Sequence, residues 1–245
     1  MEYWIFIILM LACAILSGAV SANVYKTYNL MQNVPTKSRM TGRDTAVKLL
    51  RENDVTDIEV GRVGGTLSDH YHPTKRQVNL SESVYAGDSV ASVAVSAHEI
   101  GHVMQKKKGY VPYKIRNVLV PITNIGSRLA FPLVLIGLLL EMFIGSSQNS
   151  AYANWGYYVA IAGVVMYGTA TLFALVTLPV ELDASRRAKR MLLDSGILTE
   201  EELPNASKML SAAAMTYLVS LLTSLVYFLR FAWWVLRIFG NRRDN

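Results

Sequence analysis

The stretch "SVAVSAHEIGHVMQKKKGY", residues 92–110, holds two histidines and a glutamate at a spacing suited to metal chemistry. His98 and His102 stand four apart, so on a helix both imidazoles leave one face a turn from each other and can converge on one cation. Glu99 lies about 100° round the same helix from His98. There it can take a proton from a cation-held water without filling a coordination position. Two ligands and a general base at this spacing are the working parts of a zinc hydrolase. The alternative is a helix that carries these side chains by chance. Ala91, Val93, Val95 and Ala97 mark the helix as largely buried, and unpartnered imidazoles and a carboxylate are costly in such surroundings. A metal ion removes that cost.

A catalytic zinc needs a third protein ligand and an open position for water. The residues leave three candidates: His70 and His72 in "LSDHYHP", and Glu181 in "TLPVELDASRRAKRML". Glu181 stands at the end of an apolar span, where an acid calls for a partner.

The elements that must position these residues follow from composition. Of 245 residues 52% are hydrophobic, and the mean hydropathy is positive. Four apolar stretches, residues 4–20, 129–145, 157–178 and 212–229, each approach the length of a membrane-crossing helix. The first has no basic residue before it and reads as a retained anchor rather than a cleaved leader. Cys13, the single cysteine, has no disulfide partner. Net charge is +6. Lysines and arginines crowd the segment between the first two spans and the segment after the third, whereas the loop 146–156 has none, which places both basic segments in the cytoplasm. The basic runs hug predicted membrane ends, where they meet anionic headgroups, and nucleic-acid binding is not expected. Arg237, Arg242 and Arg243 depart from this pattern unless residues 230–239 lie along the interface as an amphipathic helix.

Residues 25–112 form the one long polar stretch and read as a small α+β unit. Thr41 is a candidate N-cap for a helix ending near Asn53. "DIEVGRVGGTLSDHYHP" offers a strand, a turn at Gly64-Gly65 and a second extended segment, and "RQVNLS" alternates as a half-buried strand. That strand could offer an edge to an extended peptide or lie inside a sheet. The long helix carrying His98 is expected to start near Ser83 or Asp88 and to stop before Gly109. Gly101 leaves room for a neighbouring element, and Lys106, Lys107 and Lys108 complement the helix dipole. A short helix capped at Thr199 is expected in "SGILTEEELPNAS".

"AHEIGHVMQ", followed at distance by "LPVELDASRRA" and preceded by "LSDHYHP" and "VNLS", resembles the YugP-type neutral zinc metallopeptidases of bacterial membranes, relatives of the HtpX and CAAX-prenyl-protease gluzincins. The likeness covers nearly the whole chain. It implies Zn2+ as cofactor, with His98, His102 and Glu181 as ligands and Glu99 as general base. HtpX-like relatives place an aspartate four residues after the glutamate ligand. Here that position is Ser185 and the nearby acid is Asp183, so either could hold a ligating imidazole's other nitrogen. His70 is the first candidate to stabilise the oxyanion, ahead of Tyr71 and His72.

The expected protein is therefore an integral membrane α-helical protein of about four transmembrane helices with a small α+β metalloprotease unit carrying an HExxH helix. The expected division is an anchor (1–24), a catalytic unit (25–112), the second and third spans (113–179), a third-ligand segment (180–211), and a fourth span with basic tail (212–245). Such a chain would be a multi-pass zinc endopeptidase of the cell (inner) membrane with its site on the cytoplasmic side. Its partners would be the lipid bilayer and protein or peptide substrates, membrane-associated or misfolded. The competing reading is a metal-stabilised scaffold that binds without cutting, against which an intact Glu99 argues.

Overall fold

The computed structural model describes residues 2–144 and 154–240. Seven helices and three strands follow in the order α1 (Glu2–Gln32), α2 (Gly42–Glu52), β1 (Glu59–Val63), β2 (His70–His72), β3 (Gln77–Ser81), α3 (Glu82–Ala86), α4 (Val90–Lys107), α5 (Val111–Ile144), α6 (Trp155–Asp194) and α7 (Leu203–Gly240). Four of these are long and apolar enough to cross a membrane: Trp4–Gln32, Val111–Phe143, Trp155–Asp194 and Leu203–Ile238. All four outrun the apolar stretches read from sequence. Helix continues into polar residues because nothing breaks it: α1 runs on through Tyr25 and Lys26 to Gln32, stopping shortly before Pro35. Residues 230–238 are the in-line end of α7 rather than a separate interfacial helix. Residues 146–153 of the uncharged loop 146–156, and Arg242 and Arg243, lie outside the described residues.

The chain divides into two compact units. One comprises Met1–Leu16, Ile115–Thr177 and Leu218–Asn245, and among its described residues its packing is helix on helix. Among its described residues one buried apolar cluster gathers Val134, Ala160, Val164 and Val235, with Phe228 and Phe231 packed against it. The other comprises Ser17–Lys114 and Leu178–Tyr217. It has a dense core in which Leu49, Val78, Leu80, Ile100, Leu192 and Ile197 are all at most 1% exposed.

In this second unit local chemistry sets the elements. Thr41 caps α2, its hydroxyl accepting from the Asp44 amide at 3.1 Å, and Asn53 ends the helix. The sheet has the order β1-β3-β2, with β1 parallel and β2 antiparallel to β3. β3 is thus the central strand, hydrogen-bonded on both sides, and its edge is not available to a peptide. Its Val78 and Leu80 fall on the buried face. Of the two starts expected for the long helix, near Ser83 or Asp88, the second lies beside the observed one, and a separate short helix precedes it. α3 ends at Gly87, and α4 starts after Ser89, whose hydroxyl accepts from the Ser92 amide at 3.2 Å. The short helix expected after Thr199 is a turn: Glu202 accepts from the Thr199 amide at 2.9 Å, and α7 begins at once at Leu203 with Pro204 in its first turn.

The polar end of α1 also enters this core. Tyr28 is 1% exposed and its hydroxyl meets Ser83 Oγ at 2.8 Å. Lys106 and Lys107 do more than face the helix dipole: they donate to the backbone oxygens of Pro73, Asn53 and Asp54, fastening the C-terminal turn of α4 to the loops around it.

Candidate metal centre

α4 carries His98, Glu99 and His102, and α6 carries Glu181 across from them. The two helices can approach because the contact lacks side chains. A Cβ on Gly101 would lie 2.6 Å from the Ala184 carbonyl oxygen, and Ala97, Ala184 and Ala188 along the seam are fully buried. Gly101 therefore provides the approach that its place in the motif suggested.

Across that seam the Nε2 atoms of His98 and His102 lie 3.1 and 3.5 Å from Glu181 Oε2. One ligand atom from each of the three residues falls within 4.8 Å of the others. Two imidazole nitrogens and a carboxylate oxygen are a donor set that zinc takes in catalytic sites. The remaining ring nitrogens are already engaged: His98 Nδ1 meets Ser185 Oγ at 3.2 Å, and His102 Nδ1 meets Gln105 Oε1 at 3.0 Å. Each ring thereby turns its Nε2 toward Glu181, and the three residues fit a zinc ion.

Burial sharpens the electrostatics. Glu181 is 2% exposed, and His102 and Glu99 are 7% exposed. Burial favours the neutral form of the His102 ring, but the Glu181 carboxylate, with Glu99 behind it, outweighs burial and raises the ring's pKa above the ordinary histidine value. Two carboxylates acting on one buried imidazole create a negative field suited to a cation. No hydrogen bond or ion pair ties down the Glu99 carboxylate among the described residues.

His98, Glu99, Glu181 and Ser185 line one wall of a cavity of about 210 Å3. The same cavity is also lined by Val24 of α1, Leu67, Asp69, and Met209, Thr216 and Tyr217 of α7. Asp69 is shifted up by desolvation, although it accepts from the Ser81 amide and hydroxyl.

His70 is not brought to this site. It is exposed on β2, with Nδ1 against the Ser68 carbonyl at 2.9 Å and Nε2 against Asn79 Nδ2 at 3.2 Å. His72 is engaged as well, its Nδ1 accepting from the Lys75 amide. Burial pushes the Tyr71 hydroxyl up to about 12, so it stays protonated. A polar cluster before a proline marks a turn, and here the turn closes on itself. Both residues weighed as imidazole partners take part: Ser185 meets His98 directly, whereas Asp183 meets Gln105, which in turn meets His102. Gln105 was missed by reading the sequence, although its position three after His102 puts it on the same helix face. Tyr217 was missed as well, since nothing local relates a residue of α7 to the motif on α4.

A family model described as "Putative neutral zinc metallopeptidase" matches residues 6–236. The chain is similar to the "Putative membrane protease YugP" of Bacillus subtilis (strain 168), at 37% identity over 241 residues that cover 98% of this chain and 99% of that protein. No solved structure matches the chain.

Proposed function

We propose, from the premise that this chain belongs to the neutral zinc metallopeptidase family, that it is a membrane-embedded endopeptidase of the gluzincin type. The observation that carries the reading is the convergence of His98 and His102 from α4 with Glu181 from α6. These three residues would hold the ion. Zinc held there would act as a Lewis acid and would make a water more acidic. Glu99, buried beside the ligands yet unpaired, takes the proton from the attacking water and returns it to the leaving amine. Tyr217, one of the residues that line the same cavity, takes the place of His70 as donor to the developing oxyanion.

The cavity's walls point to the substrate. Val24 and Tyr217 belong to helices that are long and apolar enough to cross a membrane, which favours segments of membrane-associated or misfolded proteins presented at the bilayer surface. The basic segments on either side of the second and third spans favour a site on the cytoplasmic face of a multi-pass protein of the cell (inner) membrane.

The deciding experiment purifies the protein in detergent, measures bound zinc and compares casein cleavage by wild type and Glu99→Gln. Zinc retained at one equivalent with cleavage abolished is the expected result; equal cleavage by both proteins sinks the mechanism. A reporter fused after Asn245 tests the topology, with an external C-terminus expected.

A further inference from the structure

Gln105 is 0% exposed in the core of the site-bearing unit, and each polar atom of its amide has a partner. Its Nε2 donates to the Val180 carbonyl at 2.7 Å and to Asp183 Oδ2 at 2.9 Å. Its Oε1 faces His102 Nδ1 at 3.0 Å. The orientation of a side-chain amide is settled by its network, and this network allows one. A backbone carbonyl only accepts, and Asp183, which also takes the Arg187 Nε–H at 2.6 Å, is held as an acceptor too. A flipped amide would set oxygen against both. With the nitrogen committed to α6, the oxygen must face His102, so His102 Nδ1 must carry the hydrogen and Nε2 the lone pair.

Serine at the other ring has no such power. The Ser185 hydroxyl can donate to His98 Nδ1 or accept from it, so it supports either tautomer. Only at His102 does the partner dictate which nitrogen is free. The same amide reaches the peptide carbonyl of Val180, the residue immediately before Glu181. One buried side chain thus links the second ligand of α4 to the backbone that carries the ligand of α6.

We infer that Gln105 is a positioning residue of the metal centre, one that locks the His102 tautomer so that Nε2 is left for the ion. The inference rests on the zinc-peptidase reading. Partners behind metal ligands typically contribute about 10- to 100-fold in metal affinity, and that is the scale expected here.

Two substitutions separate this role from mere packing. Gln105→Met keeps the size and loses every polar contact. Gln105→Glu keeps an oxygen for the His102 N–H but sets a second carboxyl beside Asp183. If Gln105 only fills space, Met is the milder change by every measure. Under the inference the order reverses for zinc. The full chain in detergent is stripped of metal, its thermal midpoint is recorded, and its zinc Kd is measured by competition with a chromophoric chelator. Gln105→Met is expected to bind zinc about 10- to 100-fold more weakly than wild type, whereas Gln105→Glu, despite a lower metal-free midpoint, stays within about threefold. Wild-type affinity in Gln105→Met, or affinities that simply follow metal-free stability, overturns the inference. Should the Met variant not fold, Gln105→Ala stands in for it, expected weaker than Gln105→Glu, and a wild-type Kd in Gln105→Ala overturns the inference equally. Failure of the wild type itself to bind zinc removes the family reading and this inference together, an outcome distinct from wild-type binding without a Gln105 effect.

Discussion

Helix α6 makes two close seams, one in each compact unit. In the helical unit, Gly163 of α6 lies against the Ala130 carbonyl of α5, and Gly137 of α5 lies against the Ala160 amide, where added Cβ atoms would fall 2.7 and 2.5 Å away. In the site-bearing unit, Gly101 of α4 lies against the Ala184 carbonyl at 2.6 Å by the same measure. The device is the same: small residues let two backbones touch. What surrounds it differs. The α5–α6 seam sits among exposed apolar side chains such as Leu135, Phe131 and Val165, where lipid can serve as the solvent. The α4–α6 seam sits in a dense core and is flanked by Glu181, Gln105 and Ser185, every one hydrogen-bonded to an α4 histidine or lying within ion-pair distance of one. Close approach alone gives packing. Close approach with paired polar groups on its flanks gives a metal site.

The largest effect should come from closing the second seam. Gly101→Ala sets a methyl against backbone that cannot yield, and a displacement near 1 Å at a reacting centre costs about 100-fold or more in rate. Zinc content by mass spectrometry and casein cleavage should both collapse. Glu181→Gln should follow, with zinc retention sharply reduced while the helical content measured by circular dichroism is kept; unchanged zinc would overturn Glu181 as the third ligand. Gly163→Ala tests the other seam: overpacking costs about 1–3 kcal/mol, so the midpoint in detergent should fall while bound zinc stays at the wild-type level. Loss of zinc there would end the distinction between the seams. Ser185→Ala should act least, weakening zinc by no more than the Gln105→Met change.

The sequence disclosed what is local. The two histidines and Glu99 follow from one helical turn, the α2 caps from Thr41 and Asn53, and the room at Gly101 from a glycine inside a buried helix. Membrane character followed from composition, though not its limits, since polar residues such as Asn29 and Arg187 extend helices that apolar runs only begin. His70 misled because its cluster is chemically rich, and richness says nothing of where a strand's edge points. Gln105 was silent for the converse reason: an amide looks inert until the carbonyl and carboxylate that orient it arrive from 75 and 78 residues away.

That distance has a consequence for biosynthesis. His98 and Glu181 are 83 residues apart, and cavity wall is still being added at Tyr217. A growing chain that has displayed the HExxH helix still lacks its third ligand until the third apolar helix has been made, and lacks a finished pocket until the fourth begins. The grouping of His98, His102 and Glu181 is therefore completed by order of synthesis, since no such trio exists until the ribosome has passed Glu181.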